Sequence, residues 1–173
     1  ISFGTACHDV FFCQAISPRI LKEMKEHDIL AYIQPVFVDL DMNTVEPAIG
    51  AHRMEGIYAW KSMLDLGIHA SGGSDAPVDS FDAMENIYFA VTRKNIHGEP
   101  KDGWIPSERL SVDEAVKLFT KDAAYASYTE DENGTIEIGK NADFVILEKD
   151  IYKIDPDEIR TTKVDMTILG GRT

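Results

Sequence analysis

The sequence predicts an α/β fold, on two observations. Segments of helical period alternate with short apolar runs through residues 1–130, the rhythm of βα units and a parallel sheet. From residue 131 to 173 the pattern changes to short runs bounded by Gly, Asn and Asp with little helix between them, which reads as a small β element.

The elements follow in order. Residues 10–15 read as a strand, after which Ser17 caps a helix and Pro18 occupies its first turn, where a missing N–H costs nothing; Ile20, Leu21 and Met24 form its apolar stripe. A second strand over residues 29–34 stops at Pro35, which cannot donate to a central ladder, and a loop runs on through Gly50. Residues 53–66 carry Ile57, Trp60 and Leu64 at helical spacing, with Gly67 as the left-handed stop. Residues 68–71 form a third strand ending in Gly72-Gly73-Ser74-Asp75-Ala76-Pro77. A helix starting near Ser80 presents Met84, Ile87, Tyr88 and Val91 on one face, and the aperiodic stretch over residues 95–110 reads as a long surface loop, a lid. Ser111-Val112-Asp113-Glu114 is a capping box opening a helix lined by Val112, Ala115, Phe119 and Ala123. Residues 135–138, 144–147 and 164–169 are the tail's strands, with helical character only near 156–160.

Composition narrows the function classes. Seventeen Lys and Arg face 30 Asp and Glu in 173 residues, a formal charge of −13, so a nucleic acid or an anionic membrane is repelled. No apolar run approaches the roughly 18 residues of a membrane span. Cys7 and Cys13 are expected to be ordinary thiols in a reducing cytoplasm. The chain opens on Ile1 rather than Met, and a cut or processed piece of something longer is expected.

Asp75 is the leading candidate for chemistry: a carboxylate just past a strand, beside two glycines that let a ligand or metal approach the backbone and Ser74 that could bond a substrate oxygen. The same residues also fit a Ser/Asp turn or helix cap. The five histidines form no HxH, HxxxH or HExxH; His8 and His52 lie near strand ends or loops on the expected active side and stay open as site residues, His27 closes a helix, and His69 sits inside a strand as a structural residue. Arg53 contacts a substrate acid or is a solvated charge; Tyr58 and Trp60 are packing residues. No phosphate loop, GxSxG elbow or dinucleotide fingerprint is present. Three or four βα units fall short of the eight strands and about 250 residues of a closed barrel, so barrel units here would be a final arc, its edges covered by a missing N-terminal part or by another chain.

Gly73-Ser74-Asp75-Ala76-Pro77-Val78 resembles the last barrel strand of the amidohydrolase superfamily, in its YtcJ-like, family 3 (AepA-like) branch. Tyr58-Ala59-Trp60-Lys61-Ser62, Ala90-Val91-Thr92-Arg93 and the stretch from Gly134 through Ala142-Asp143-Phe144 to Leu147, with Leu169-Gly170-Gly171-Arg172, follow the same pattern. The resemblance implies the C-terminal part of a TIM-like (β/α)8 metal-dependent hydrolase barrel, over residues 1–130, followed by strands of a small β-sandwich, over 131–173. It implies hydrolysis of carbon–nitrogen bonds other than peptide bonds in a small amide-type substrate, with a divalent metal, zinc or another, in the complete protein. Asp75 matches the aspartate that contacts the metal and shuttles a proton; Gln34, Arg53 and Ser74 are its substrate-binding companions in this reading. Phe12 stands where the pattern has a histidine, leaving nearby His8 as the candidate metal ligand, and the remaining ligands fall in the absent region. The isolated chain is therefore expected to be inactive; the alternative is a noncatalytic binding or assembly module on the same fold.

Overall fold

The computed structural model describes residues 8–173. Three strands, β1 (Asp9–Val10), β2 (Leu30–Ile33) and β3 (Ala70–Gly72), form a parallel sheet in that order, with Val10 level with Ala31 and Ala31 level with Ala70. Between them run α1 (Pro18–Glu26), α2 (Val38–Asp41), α3 (Val45–Ile49) and α4 (Trp60–Asp65); α5 (Ala83–Thr92), α6 (Val112–Leu118) and α7 (Lys121–Ala126) follow. A separate antiparallel ribbon pairs β4 (Phe144–Leu147) with β5 (Val164–Ile168).

The alternation of a strand explains the core. Ala31 and Ile33 are buried with Leu21 and Met24 of α1 and with Trp60 and Met63 of α4, while Tyr32 between them faces the other way and its hydroxyl donates to the Ala126 carbonyl (3.2 Å). Ser17 caps α1, its hydroxyl accepting from the Ile20 N–H (3.4 Å), and His27 ends it. Met84, Ile87, Tyr88 and Val91 are buried on α5 as their spacing requires, although the cap is Asp82 rather than Ser80. Among the described residues no helix is long and apolar enough to cross a membrane.

Six expectations need correction, one being that the helix opened by Ser111 reaches Ala123: it ends at Leu118, and Ala123 lies on α7. The first strand stops at Val10 because Phe12 adopts φ 58°, turning the chain so that Ala15 bridges Ile57 instead. The helix expected over 53–66 begins only at Trp60, since Tyr58, at φ 49°, gives its N–H to Gln14 across that bridge (2.7 Å). The stretch over 34–50 is not a plain loop but a series of short helical turns including α2 and α3. The segment over 95–110 is not a lid: Trp104 and Leu110 are buried, and their N–H groups donate to Arg93 and Ala90 carbonyls (2.7 and 3.0 Å). At Gly103 a side chain would meet the Thr92 carbonyl oxygen at 2.3 Å, so glycine lets the loop lie flat on α5. Finally, residues 135–138 form no strand, and Ile136 and Ile138 stand exposed.

The tail is tied to the first part, for Ile151 and Ile159 join the same core. The ribbon is less satisfied: Phe144, Val145, Ile146, Val164 and Met166 are exposed on both of its faces. The outer edges of β1 and β3 carry no strand partner among the described residues.

The capping box at Ser111 forms as expected, with the Glu114 N–H donating to the serine hydroxyl (3.2 Å) and Ser111 N–H to the Glu114 carboxylate (2.8 Å). Burial alone favours protonated Glu114, but the Ser111 donors and the Lys61 ammonium at 3.1 Å outweigh it and hold the carboxyl below its ordinary value. A depressed carboxyl stabilises the fold above its ordinary pKa and loses that contribution as pH falls through the folded value. Ser111→Ala is therefore expected to cost about 1 kcal/mol at neutral pH. In urea titrations the gap from the parent narrows in acid; a gap independent of pH contradicts the assignment.

Candidate active site

The parallel register places the site residues by height. Ile33 of β2 is level with Gly72 of β3, and the Gly73 N–H extends the ladder by donating to the Ile33 carbonyl (2.9 Å). Gln34 and Gly73-Ser74-Asp75 thus leave adjacent strands at the same, carboxyl end of the sheet, where α/β folds place their ligands. Among the described residues nothing lies within 4 Å of the position a Gly73 side chain would take, so on their side the corner is open. Asp75 is exposed and adopts φ 56°, its carbonyl accepting from the Val78 N–H (2.8 Å) in a tight turn; Ser74 beside it is half-buried. Aspartate tolerates this left-handed conformation better than most residues.

Gln34 is buried, and its Oε1 has no hydrogen-bond partner among the described residues. Its neighbour is pinned: the Val36 N–H donates to Oδ1 of Asn86, a residue of α5 that is itself 1% exposed (3.1 Å). Nothing in the sequence singles out Asn86, because a polar residue inside a helix pattern carries no signal of a partner 50 positions away.

The other candidates lie apart. His8 sits before β1, where its carbonyl accepts from Leu30 N–H (2.9 Å), so it stands at the opposite end of the strands from Asp75. Arg53 and His52 are exposed on the turn over Ala51–Arg53. His69 precedes β3, exposed, with its ring stacked on Tyr125 (4.3 Å). Asp122, on the same helix as Tyr125, has its carboxyl pushed up by burial. Among the described residues no group of three or more His, Cys, Asp and Glu is placed to hold a metal ion. These residues alone therefore do not fit a complete metal site; Asp75 is a single carboxylate at the open corner.

Cys13 donates from Sγ to the Val10 carbonyl (3.3 Å) and is buried, which pushes its thiol up to about 11. Cys7 lies outside the described residues. In a Cys7→Ser background Cys13 is expected to resist a thiol reagent at pH 8 and to react once urea unfolds the chain, read by intact mass; rapid labelling of the folded protein contradicts this.

A comparison with protein families decides the lineage, since the profile described as Amidohydrolase family matches residues 8–173. The chain belongs to the amidohydrolase family. Within it the resemblance is YtcJ-like: the chain is 34% identical over 166 residues to the Bacillus subtilis (strain 168) protein named "Putative amidohydrolase YtcJ", covering 95% of this chain and 31% of that one. It is 33% identical over 115 residues to an N-substituted formamide deformylase of Arthrobacter pascens, covering 66% of this chain and 21% of the deformylase. The chain thus spans no more than about a third of the length of these relatives. Among solved structures, a metal-dependent hydrolase from Pyrococcus horikoshii OT3 superposes with TM-score 0.76 at 20% identity, over 86% of this chain and 30% of that one. One from Pyrococcus furiosus gives 0.72 at 26% identity, over 84% and 29%. The amidohydrolase fold is therefore common to this chain and to those hydrolases.

Proposed function

We propose that this amidohydrolase chain is the closing arc of a hydrolase barrel that cleaves carbon–nitrogen bonds in small amide-type substrates, and that Asp75 is its reacting carboxylate. The observation that carries the reading is the open corner at the carboxyl end of β3, where Asp75 stands beside Ser74 and across from Gln34. In hydrolysis a water oxygen bonds to the carbonyl carbon, the carbon–nitrogen bond breaks, and a proton moves from water to the leaving nitrogen. Asp75 carries that proton on a carboxylate oxygen, as general base and then general acid. Ser74 and Gln34 orient the substrate, and Arg53 takes part only where a substrate acid reaches its outlying turn. A divalent ion, zinc in this reading, would be held by Asp75 together with donors outside the described residues and would supply a polarised carbonyl and an acidified water; His8 would join them only if the strand end it occupies were rearranged. The relatives named for deformylation and for deamination of 5-methylthioadenosine and S-adenosylhomocysteine support carbon–nitrogen chemistry.

A second reading, a noncatalytic module on the same fold, is favoured by Phe12, which stands where the resemblance calls for a histidine and turns the chain away from the sheet. One preparation separates the two and tests completeness. The purified 173-residue chain is expected to bind less than one metal ion per molecule, to release no amine from formamides, and to associate through its uncovered strands. Stoichiometric, tightly held metal with turnover abolished in Asp75→Asn, or a compact monomer in sedimentation, contradicts that expectation. The intact polypeptide decides between enzyme and module: amide turnover there supports the first, its absence with metal supplied the second.

A further inference from the structure

We infer that Asn86 is a positioning residue that locks the exit of β2 to the exit of β3, and so fixes Gln34 relative to Asp75. The inference rests on the reading of those two residues as site groups, and the geometry behind it is independent of that reading. Asn86 lies in the first half of α5, the helix that follows the Asp75 turn, and is 1% exposed. Its Oδ1 accepts the Val36 N–H (3.1 Å), two residues beyond Gln34 on the other strand-end segment. Its Nδ2 donates to the carbonyl of Asp82 (3.0 Å), the last residue of the segment that begins at Gly73. The partners fix the amide's orientation, because a flipped side chain would set N–H against N–H and carbonyl against carbonyl.

Asp82 is itself held. Its N–H donates to the Ser80 hydroxyl (3.2 Å), its carboxylate accepts from the Met84 N–H (2.8 Å), and Ser80 N–H donates to Asp79 (2.6 Å). The chain from Asp75 to α5 is thus a run of local bonds whose far end is Asn86. On the other side, Val36 belongs to the turn over Pro35–Phe37, where proline restricts the Gln34 backbone. Val36 is buried, so losing the Asn86 bond leaves its N–H without that partner away from water, whereas the Asp82 carbonyl keeps the Asn86 backbone N–H (3.2 Å) and loses only its second donor. No other side-chain bond among the described residues joins residues 34–37 to residues 73–86.

Two substitutions separate the halves of the link. Asn86→Leu keeps the branched shape, with somewhat more bulk, and removes both bonds. Asn86→Thr keeps the Asp82 half, because a threonine hydroxyl reaches the carbonyl four residues back, as Thr92 does to Tyr88 in this same helix (2.8 Å), but cannot reach Val36. In the intact protein, hydrogen exchange read by mass spectrometry is expected to rise about tenfold or more over residues 34–39 in both variants, and over 73–82 only in Asn86→Leu, with the remaining core at parent level. With N-benzylformamide as the probe, Asn86→Thr is expected to raise KM with kcat held, and Asn86→Leu to lower kcat/KM by about 10- to 100-fold through both. Parent-level exchange over 34–39 in both variants, or acceleration spread evenly through the core, overturns the link. If the leucine variant does not fold, exchange over 34–39 in the threonine variant decides the link by itself. A parent protein that turns over no amide overturns the functional reading, while the exchange measurement still decides the coupling. An active parent whose exchange responds as expected but whose kcat and KM do not overturns the positioning role.

Discussion

Replacing Arg93 with alanine is expected to cost the fold about 3–5 kcal/mol, the largest effect of any single substitution outside the site. Arg93 is fully buried at the end of α5. Its Nε donates to the Trp104 carbonyl (2.8 Å) and its Nη1 to the Tyr58 carbonyl (3.0 Å). The guanidinium carbon lies 4.5 Å from the Trp60 ring centre, 5.4 Å from Trp104 and 5.8 Å from Tyr58. Burial pulls its pKa down to about 10, still above neutral, so the group remains a cation among three aromatic faces. Alanine would take the side-chain donor from the Trp104 carbonyl, leave the Tyr58 carbonyl with only the Trp60 N–H (2.9 Å), and open a void among Tyr58, Trp60 and Trp104. It would also release the loop over 95–110, and through Tyr58, whose hydroxyl donates to Asp41, the end of α2. Against the roughly 5–15 kcal/mol typical of a domain, that loss dominates. Lysine is expected to recover little, because an ammonium on a flexible stem does not match the planar fork that spans both carbonyls. Urea denaturation measures it; a loss below about 1 kcal/mol would show that the cage is not what holds the loop.

Arg93 also marks where the sequence stops being readable. Elements whose causes are local were legible: the Ser17 and Pro18 start of α1, the Ser111 capping box, and the stripe of Met84, Ile87, Tyr88 and Val91. Those whose causes are distant were not. The segment over 95–110 has no period, yet Trp104 is drawn inward because a cation on another element waits for it. Residues 53–59 carry apolar spacing that suits a helix, but they run through tight turns about the bridge between Ala15 and Ile57, and tertiary pairing prevails over pattern. Ile136 and Ile138 alternate like a strand and find no partner strand among the described residues.

The site divides in the same way. Asp75 could be singled out because glycine, serine and proline around a carboxylate announce a turn at a strand end. That Gln34 shares its end of the sheet followed from reading both as strand exits. His8 was expected on the active side and lies at the other end, since its height depends on where β1 runs, and that strand spans Asp9–Val10 before Phe12 turns the chain. Asn86 was invisible because its meaning is a contact rather than a motif.

Asp75→Asn is expected to lower amide turnover of the intact protein by about 10²–10⁴-fold, the range that a positioned proton carrier contributes. The amide keeps the size and the hydrogen-bonding shape of the turn but cannot take a proton from water or return it to the leaving nitrogen. Asp75 is exposed on a left-handed turn that asparagine also tolerates, so the fold is expected to be unchanged, with denaturation midpoints matching. Loss of rate without loss of stability separates a chemical role from the turn-forming role that the same residues could serve. The most direct test is therefore the rate of amine release from an N-substituted formamide by the intact protein and its Asp75→Asn variant, at matched metal content. A fall of at least about a hundredfold with unchanged folding is the predicted result; equal rates in the two proteins would contradict the assignment of Asp75 and, with it, the account of this corner as the active site.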